Sequence, residues 1–471
     1  MANDVAFQRD DYRIAAPDWA MVRTLCDGES KVKAAGEIYL PNPCVLGSTG
    51  ESRTEVAAIY TRYLARALFL NVVGRTRSSL AGAVFRRTPK LALPSSIAYM
   101  AKDCDGAGVS IYQQSQSALD EVLSTGRSGL LVDYPDTGGA ASVADMRAGK
   151  IRANIVRYDA SQIVNWQQTR IGGQSVLTRI VLHEMVDAVD GFETKPVVQH
   201  RELAFDGGRY VVRLWRKDER GEWVQISEAY PTTSTGAAWT VIPFVFIGAL
   251  NNDASIDGAP LFDLACVNRK HYQLGADWYN ALYYAGNPQP VMAGLTEEWR
   301  NWLEEKGTVI GSRAILPLPA GGSFQYATVG ADTAIQKQLD TLKDEMVALG
   351  ARLIMPGEVS KTATQSAGEQ EVSHSVVSLA AENVSDAYTQ ALQYAQVFMG
   401  GSGECEYRLN GDIAGRVLDP QMIVALVSAW QSGTVPKRDV QVYLQRVGLI
   451  DPEKSPEEID DETAGEGINL G

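Results

Sequence analysis

Between Lys361 and Arg408 the sequence contains no lysine or arginine. Affinity for a nucleic-acid duplex comes mainly from cations that displace its counterions. A stretch without cations therefore cannot hold a polyanion, and its acids would repel one. Positive charge is short in the chain as a whole: 43 Lys and Arg stand against 57 Asp and Glu, for a net charge of −14. From Asp451 to the end, eight acidic residues face one cation, Lys454. Such a tail reads as a solvated, loosely ordered appendage.

Other absences narrow the class further. No run of about 18 apolar residues is present, so no membrane span is expected. The start, MANDVAFQRDDYRIAAPDW, lacks the basic residues and apolar run of a signal peptide, which predicts a cytoplasmic chain. The five cysteines (Cys26, Cys44, Cys104, Cys266 and Cys405) are scattered and never form a CxxC pair. They read as reduced structural thiols rather than a zinc or disulfide framework.

The usual catalytic signatures are missing too. GSTGES lacks the lysine of a phosphate-binding loop, and no GxGxxG, GxSxG or HExxH occurs. His183, His200, His271 and His374 lie far apart in the sequence. The segment HEMVDAVD places Glu184, Asp187 and Asp190 near His183, but on a strand His183 and Glu184 point to opposite faces. Asp133 and Asp136 sit in VDYPDTGGA, a composition that suits a turn after a strand. The one enzymatic alternative is a metal-assisted hydrolase with Asp/Glu ligands around 133–136 or 183–190. No cofactor is expected.

What is present reads as an α+β chain long enough for two or three domains. Apolar spacing predicts helices over 16–33, 54–86 and 109–125. The period then changes to short segments rich in Val, Ile, Leu and Tyr: 127–133, 152–157, 163–167, 176–184, 196–204, 209–216 and 223–227. Asp206-Gly207-Gly208 and the 219–222 turn mark hairpins, so a mainly antiparallel region is predicted, closed by WTVIPFVFIG. A helix follows from Pro260 to Asn287, long for a soluble domain. A small mixed unit comes next, with a helix at TEEWRNWLEEKG whose Trp299 and Trp302 share one face. Further helices are predicted at 332–354 and 369–402. In the last of these Val377, Val384, Tyr388, Ala391, Ala395 and Phe398 recur at heptad-like spacing, while its only charges are acidic. Two more helices, near 418–431 and 437–447, complete the chain.

Four blocks in this order resemble the portal (head-to-tail connector) proteins of tailed bacteriophages, and locally a divergent branch of unassigned function. They are RALFLNVVGRTRSSLAGAVFRRTP, DGAGVSIYQQSQSALDEVLSTGRSGLLVDYP, APLFDLACVNRKHYQLGADWYNALYYAGNPQPVMAG and TATQSAGEQEVSHSVVSLAAENVSDAYTQAL. The resemblance implies a portal-like α+β architecture. Residues 1–259 would form a wing, 260–285 and 333–354 two stem helices, and 286–332 a clip. Residues 355–368 would form a tunnel loop, 369–402 a tunnel helix, and 403–471 a crown with its acidic tail. It also implies a structural role without catalysis, in a homo-oligomeric, dodecameric ring at a capsid vertex of the virion, assembled in the bacterial host's cytoplasm.

Double-stranded DNA would pass through such a ring transiently. The large terminase would dock on it first and head-completion, adaptor or tail proteins later, with the major capsid or scaffolding protein around it. Carried onto this sequence, Lys361, Thr362, Thr364, Gln365 and Ser366 would form the DNA-facing loop. Glu369, Glu371, Glu382 and Asp386 would line the tunnel, and Trp299, Arg300 and Trp302 would meet partners at the clip. The two stem helices, without cover in a small monomer, would be covered by neighbouring copies.

Overall fold

A computed structural model describes residues 4–43, 53–135, 151–287, 289–294, 296–306, 318–327, 333–354, 375–411, 428–430, 432, 434–446, 454–455 and 458–459. They fall into two units, 1–410 and 411–471. In the first, helices α1 (Asp10–Cys26), α2 (Glu29–Ala34), α3 (Arg53–Arg66), α4 (Val72–Val84) and α5 (Ile111–Thr125) precede most of the sheet. Strands β1 (Lys90–Ala92) to β9 (Phe244–Gly248) follow or interleave with these helices: β2 is Arg127–Asp133, β3 Asn154–Asp159, β4 Ile163–Ile171, β5 Gln174–Asp190, β6 Glu193–Asp206, β7 Arg209–Lys217 and β8 Trp223–Ala229. Then come α6 (Phe262–Gly286), β10 (Gln289–Ala293), α7 (Glu297–Lys306), β11 (Ser323–Ala327), α8 (Thr333–Arg352), α9 (Val376–Met399) and β12 (Glu406–Arg408). The fold is α+β, and every strand pairing among the described residues is antiparallel.

Two sheets make the β-rich half. One has the order β3-β2-β9 and the other the meander β4-β5-β6-β7-β8. The glycine pairs Gly172-Gly173 and Gly207-Gly208 supply the positive φ angles that two of these turns need. The strands run beyond the segments expected from alternation, most of all in β5 and β6, which extend past 184 and begin before 196.

The helix expected over 54–86 is interrupted. Residues 67–71 lie outside helical geometry, and α4 restarts at Asn71, whose side chain accepts the Gly74 N–H as an N-cap. The break is stabilised from far along the chain. Asn268 of α6, wholly buried, accepts the Val72 and Val73 N–H groups at 3.2 Å each and donates to the Leu70 carbonyl at 2.9 Å. The Val73 N–H is thereby satisfied, and the tight turn in which the Val72 N–H donates to the Leu70 carbonyl at 2.8 Å gains a second partner at each end. The helix expected over 16–33 likewise divides into α1 and α2, at Gly28, whose φ is +91°.

The core is built around α9. Ser375 caps it through the Ser378 N–H, and Gly400, in the left-handed region, ends it. It packs against β2, β3, β9, β12, α4, α5 and the 3-10 turn at 95–101. The six apolar residues read as a seam are all buried, but so are Ala380, Ala381, Asn383, Ser385, Ala387 and Leu392. The seam is thus covered by adjacent elements of the same chain, and on more than one face. Its polar ties are buried as well. The Tyr388 hydroxyl donates to Gln114 Oε1 at 3.1 Å, and Asn383 Nδ2 donates to the Gly248 carbonyl at 3.0 Å. Phe398 stacks on Tyr134 with ring centroids 5.1 Å apart and meets Trp239 at 4.2 Å. β12 carries the chain back across this core to pair with β1, and the Tyr407 hydroxyl shares a 2.6 Å hydrogen bond with Ser115.

In the second unit, α10 (Lys437–Arg446) falls where a helix over 437–447 was expected, with Val440 and Gln441 buried. Of the helix expected near 418–431, only 428–430 lie among the described residues.

Candidate functional site

The sequence-derived site residues distribute over three places. Lys361, Thr362, Thr364, Gln365, Ser366, Glu369 and Glu371 lie outside the described residues, as does His374. Glu382 and Asp386 are on α9, and Trp299, Arg300 and Trp302 are on α7.

The two acids occupy the solvent side of an otherwise buried helix. Exposed positions on α9 are Val376 and, as one stripe at three- and four-residue spacing, Glu382, Asp386, Gln390, Gln393 and Val397. Glu382 and Asp386 are neighbours one turn apart on that stripe. The scarcity of cations in this helix thus has a second cause, because only this strip meets water.

The helix pair α6 and α8 presents the largest bare surface near the other predicted residues. At ~1.5 Å per residue, the 25 residues of α6 span about 37 Å. The first part is rooted: Leu264, Ala265, Asn268, His271, Tyr272, Gly275 and Ala276 are buried. α8 returns along it through Leu339, Leu342 and Met346, and the missing side chain of Gly275 leaves room for Leu339. This rooted half contradicts the expectation that the stem helices lack cover within one chain, because α1, α3, α4 and α8 supply it.

Beyond Ala276 the cover thins. Tyr63 of α3 donates to Asp277 Oδ1 at 2.6 Å, and the Arg66 guanidinium lies 4.1 Å over the Tyr283 ring. Burial, with Asp277 as hydrogen-bond partner, pushes the Tyr63 hydroxyl well above the usual phenol range. Tyr279, Leu282, Tyr283 and Tyr284 nevertheless stay exposed. The helix then leads into the antiparallel pair β10–β11, with α7 between its strands in sequence. There Trp299 and Trp302 meet edge to face at 5.1 Å, as their spacing predicted, with Trp302 exposed. Arg300 reaches Glu297 at 3.9 Å, and both are solvated. Tyr326 and Val291 add further exposed apolar area. Among the described residues, the end of this 25-residue helix and the unit after it thus carry several exposed aromatic side chains.

Two carboxylates of the hydrolase reading, Asp133 and Glu184, are engaged with other side chains. Asp133 and Glu184 do converge, which their separation in sequence could not reveal, but around Arg201. Its guanidinium contacts Glu184 at 2.8 Å and Asp133 at 3.2 Å. The Tyr158 hydroxyl and Gln199 Nε2 also donate to Glu184, at 2.5 and 2.6 Å. Burial opposes the Arg201 charge, but Tyr158, Asp133 and Glu184 outweigh it and keep the guanidinium protonated. With three donors on its two oxygens, Glu184 is bound into a structural cluster around Arg201. Asp136 lies outside the described residues, and among the described ones no group of three His, Cys, Asp or Glu is arranged to hold an ion.

His183 points to the opposite face, as alternation required, and meets His200 across the strands with centroids 5.2 Å apart. Trp223 touches His200 from the other side at 4.5 Å. Burial first, then the neighbouring His183, lowers the His200 imidazole from its ordinary 6.5 to about 4. Between those values the unfolded chain takes up a proton that the folded chain refuses, so this group's stabilisation falls as the pH drops through that range. His200→Gln should flatten the loss of stability between about pH 7 and pH 4.5 in chemical denaturation. An unchanged slope would remove His200 from the acid response. The thiols fit the inert reading: Cys26 and Cys104 are buried, and burial pushes them up to about 11 and about 12.

Residues 260–399 match the model of a family described as Domain of unknown function (DUF4055). The matched interval opens beside the first residue of α6 and closes on the last residue of α9, so it spans the rooted helix pair, the small β unit and the core helix. No curated protein matches the chain. Among solved structures, it is similar to a chain in the neck of an empty GTA particle computed with C6 symmetry. That likeness has 14% identity and a TM-score of 0.39, over 87% of this chain and 98% of the other. A chain in the neck of a native GTA particle computed with C12 symmetry gives 13% identity and a TM-score of 0.36 over the same shares. Similarities this low bear no weight as to the role of this chain. No helix among the described residues is long and apolar enough to cross a membrane.

Proposed function

We propose that this chain is a portal protein of a tailed phage or phage-like particle. Copies would form a ring at one vertex of the shell, of twelve subunits if the resemblance to portal proteins extends to their number. Double-stranded DNA would enter and leave through it, a large terminase would dock during filling, and adaptor or tail proteins would dock afterwards. The observation that carries this reading is the α6–α8 pair, rooted within the chain at one end and bare and aromatic at the other, where it ends in β10–β11 and α7. Such a shape suits a wall element packed beside copies of itself, with Trp299, Arg300 and Trp302 on a projecting unit that partners can reach.

Glu382 and Asp386, with Glu369 and Glu371, would set rings of negative charge along the passage. At physiological salt such repulsion acts over about 8 Å, enough to keep a duplex centred without stopping it. Lys361 would touch phosphates weakly and release them, beside Thr362, Thr364, Gln365 and Ser366.

Native mass spectrometry and negative-stain images of the purified chain should show annular particles with a central hole. A chain that remains monomeric or dimeric at every concentration would reject the reading. Lys361→Glu should leave the rings intact and change DNA packaging or retention; unchanged packaging would remove Lys361 from the DNA path.

A further inference from the structure

β5 and β6 outrun their neighbours. β4 accompanies β5 no further than the Ile163–Leu182 pair, and β7 accompanies β6 only from the Gln199–Arg216 pair. From Met185–Val198 to Asp190–Glu193 the two strands pair only with each other, so six residue pairs project as a ribbon about 20 Å long at ~3.3 Å per residue. Among the described residues no strand lies along either edge of this arm. Met185, Val189 and Val198, on one face of it, are exposed, and Phe192 at its tip is fully so. A two-stranded ribbon of this kind is marginal in water and invites a third strand. Pro196 lacks an N–H and so weakens the β6 edge as a template, which leaves the β5 edge at Met185–Val189 as the open one.

The same sheet carries one unguarded acceptor. Of its two terminal strands, β4 is partly capped by the chain's own start: the Arg9 N–H donates to the Val164 carbonyl at 3.2 Å, and Arg9 Nη1 donates to the Trp166 carbonyl at 3.0 Å. The rest of that strand is polar, Gln167 to Arg170. Among the described residues β8 has no such cover. Its first five residues, Trp223-Val224-Gln225-Ile226-Ser227, contain no charge, proline or glycine, the devices that ordinarily blunt an edge. Val224 and Ile226 are exposed on it. Lys217 lies over the Trp223 ring at 5.3 Å, opposite in sign to Asp187 of the arm.

We propose that the β5–β6 arm of one copy adds, through Met185–Val189, to the outer edge of β8 in the next copy. β7 separates the arm from its own β8, so the contact is made between chains. Donor and acceptor are different surfaces, so each copy uses one of each. Such a head-to-tail contact propagates until the rotation closes a ring. This rests on the reading of the chain as a ring subunit and names the element that joins its copies.

Two variants of the full chain test it. In one, residues 188–195 are replaced by Asn-Gly, which shortens the arm; in the other, Val224→Lys and Ile226→Lys block the acceptor. Each alone should be monomeric by native mass spectrometry where the unaltered chain is annular, with its far-UV circular dichroism kept. An equimolar mixture should yield a one-to-one heterodimer and nothing larger, because one intact donor and one intact acceptor remain. A shortened-arm chain that still forms full rings overturns the strap and leaves the ring reading standing, whereas an unaltered chain that never assembles overturns both. If shortening unfolds the chain, the pair Val189→Cys and Ile226→Cys decides. Mild oxidation should give a ladder of disulfide-linked multimers on a non-reducing gel, and its absence overturns the proposal.

Discussion

Asn268→Leu should cost about 1–3 kcal/mol of stability, read as a fall in the guanidinium midpoint. The side chain is completely buried and holds three backbone groups on either side of the α3–α4 break: Val72 N–H, Val73 N–H and the Leu70 carbonyl. Leucine has the same branching but no polar atom; the Val72 N–H and the Leu70 carbonyl keep their own 2.8 Å bond, so the Val73 N–H is the group left without a partner, at roughly 1–3 kcal/mol. The loss is a large part of a typical stability of about 5–15 kcal/mol. It should also loosen residues 67–73 in hydrogen exchange before the rest of the unit opens. A midpoint within error of the parent's would show that these amides find other partners.

The second large effect lies at the core helix. Tyr388→Ala should cost about 3–5 kcal/mol, the range for deleting a large buried ring from a core that cannot collapse around it. Tyr388 has no exposed surface, its ring lies 5.5 Å from that of Tyr407, and its hydroxyl reaches Gln114. Tyr388→Phe keeps the ring and removes only that hydrogen bond, so it should cost about 1–2 kcal/mol. The ratio of the two separates packing from polar contribution. If Tyr388→Ala costs no more than Tyr388→Phe, α9 is not the centre of the cooperative unit.

The parts of the fold that were legible in the sequence are those written locally. Period-two alternation and glycine-bearing turns placed β5 to β8 in order, because each signal lies within a few residues of its effect. The break at 67–71 was invisible because its cause, Asn268, is distant. The convergence of Asp133 and Glu184 on Arg201 was hidden for the same reason. α9 shows a further limit of local patterns. Its alanines, serines and lack of cations read as an amphipathic wall, and Glu382 and Asp386 do lie on a wet stripe. Yet small residues such as Ala380, Ala381, Ala387 and Ala391 are there so that strands and helices can approach from several sides. Low charge in a helix signals little exposed surface before it signals any ligand. The arm could not be foreseen because β5 and β6 run past the segments that alternation marked, and their lack of neighbours there is a property of the assembled sheet.

α6 is buried along its first half, and along its second it is held from one side by Tyr63 and Arg66 of α3, which lets it act as a lever. From Asn268 to the end of the helix is roughly 27 Å, so a tilt of only ~5° at the root would carry the tip through about 2.4 Å. That displacement approaches the length of a hydrogen bond. Whatever binds the aromatic tip would therefore read small rearrangements at the root as the making or breaking of whole contacts. The rigidity of one buried asparagine would set the precision with which the tip is presented.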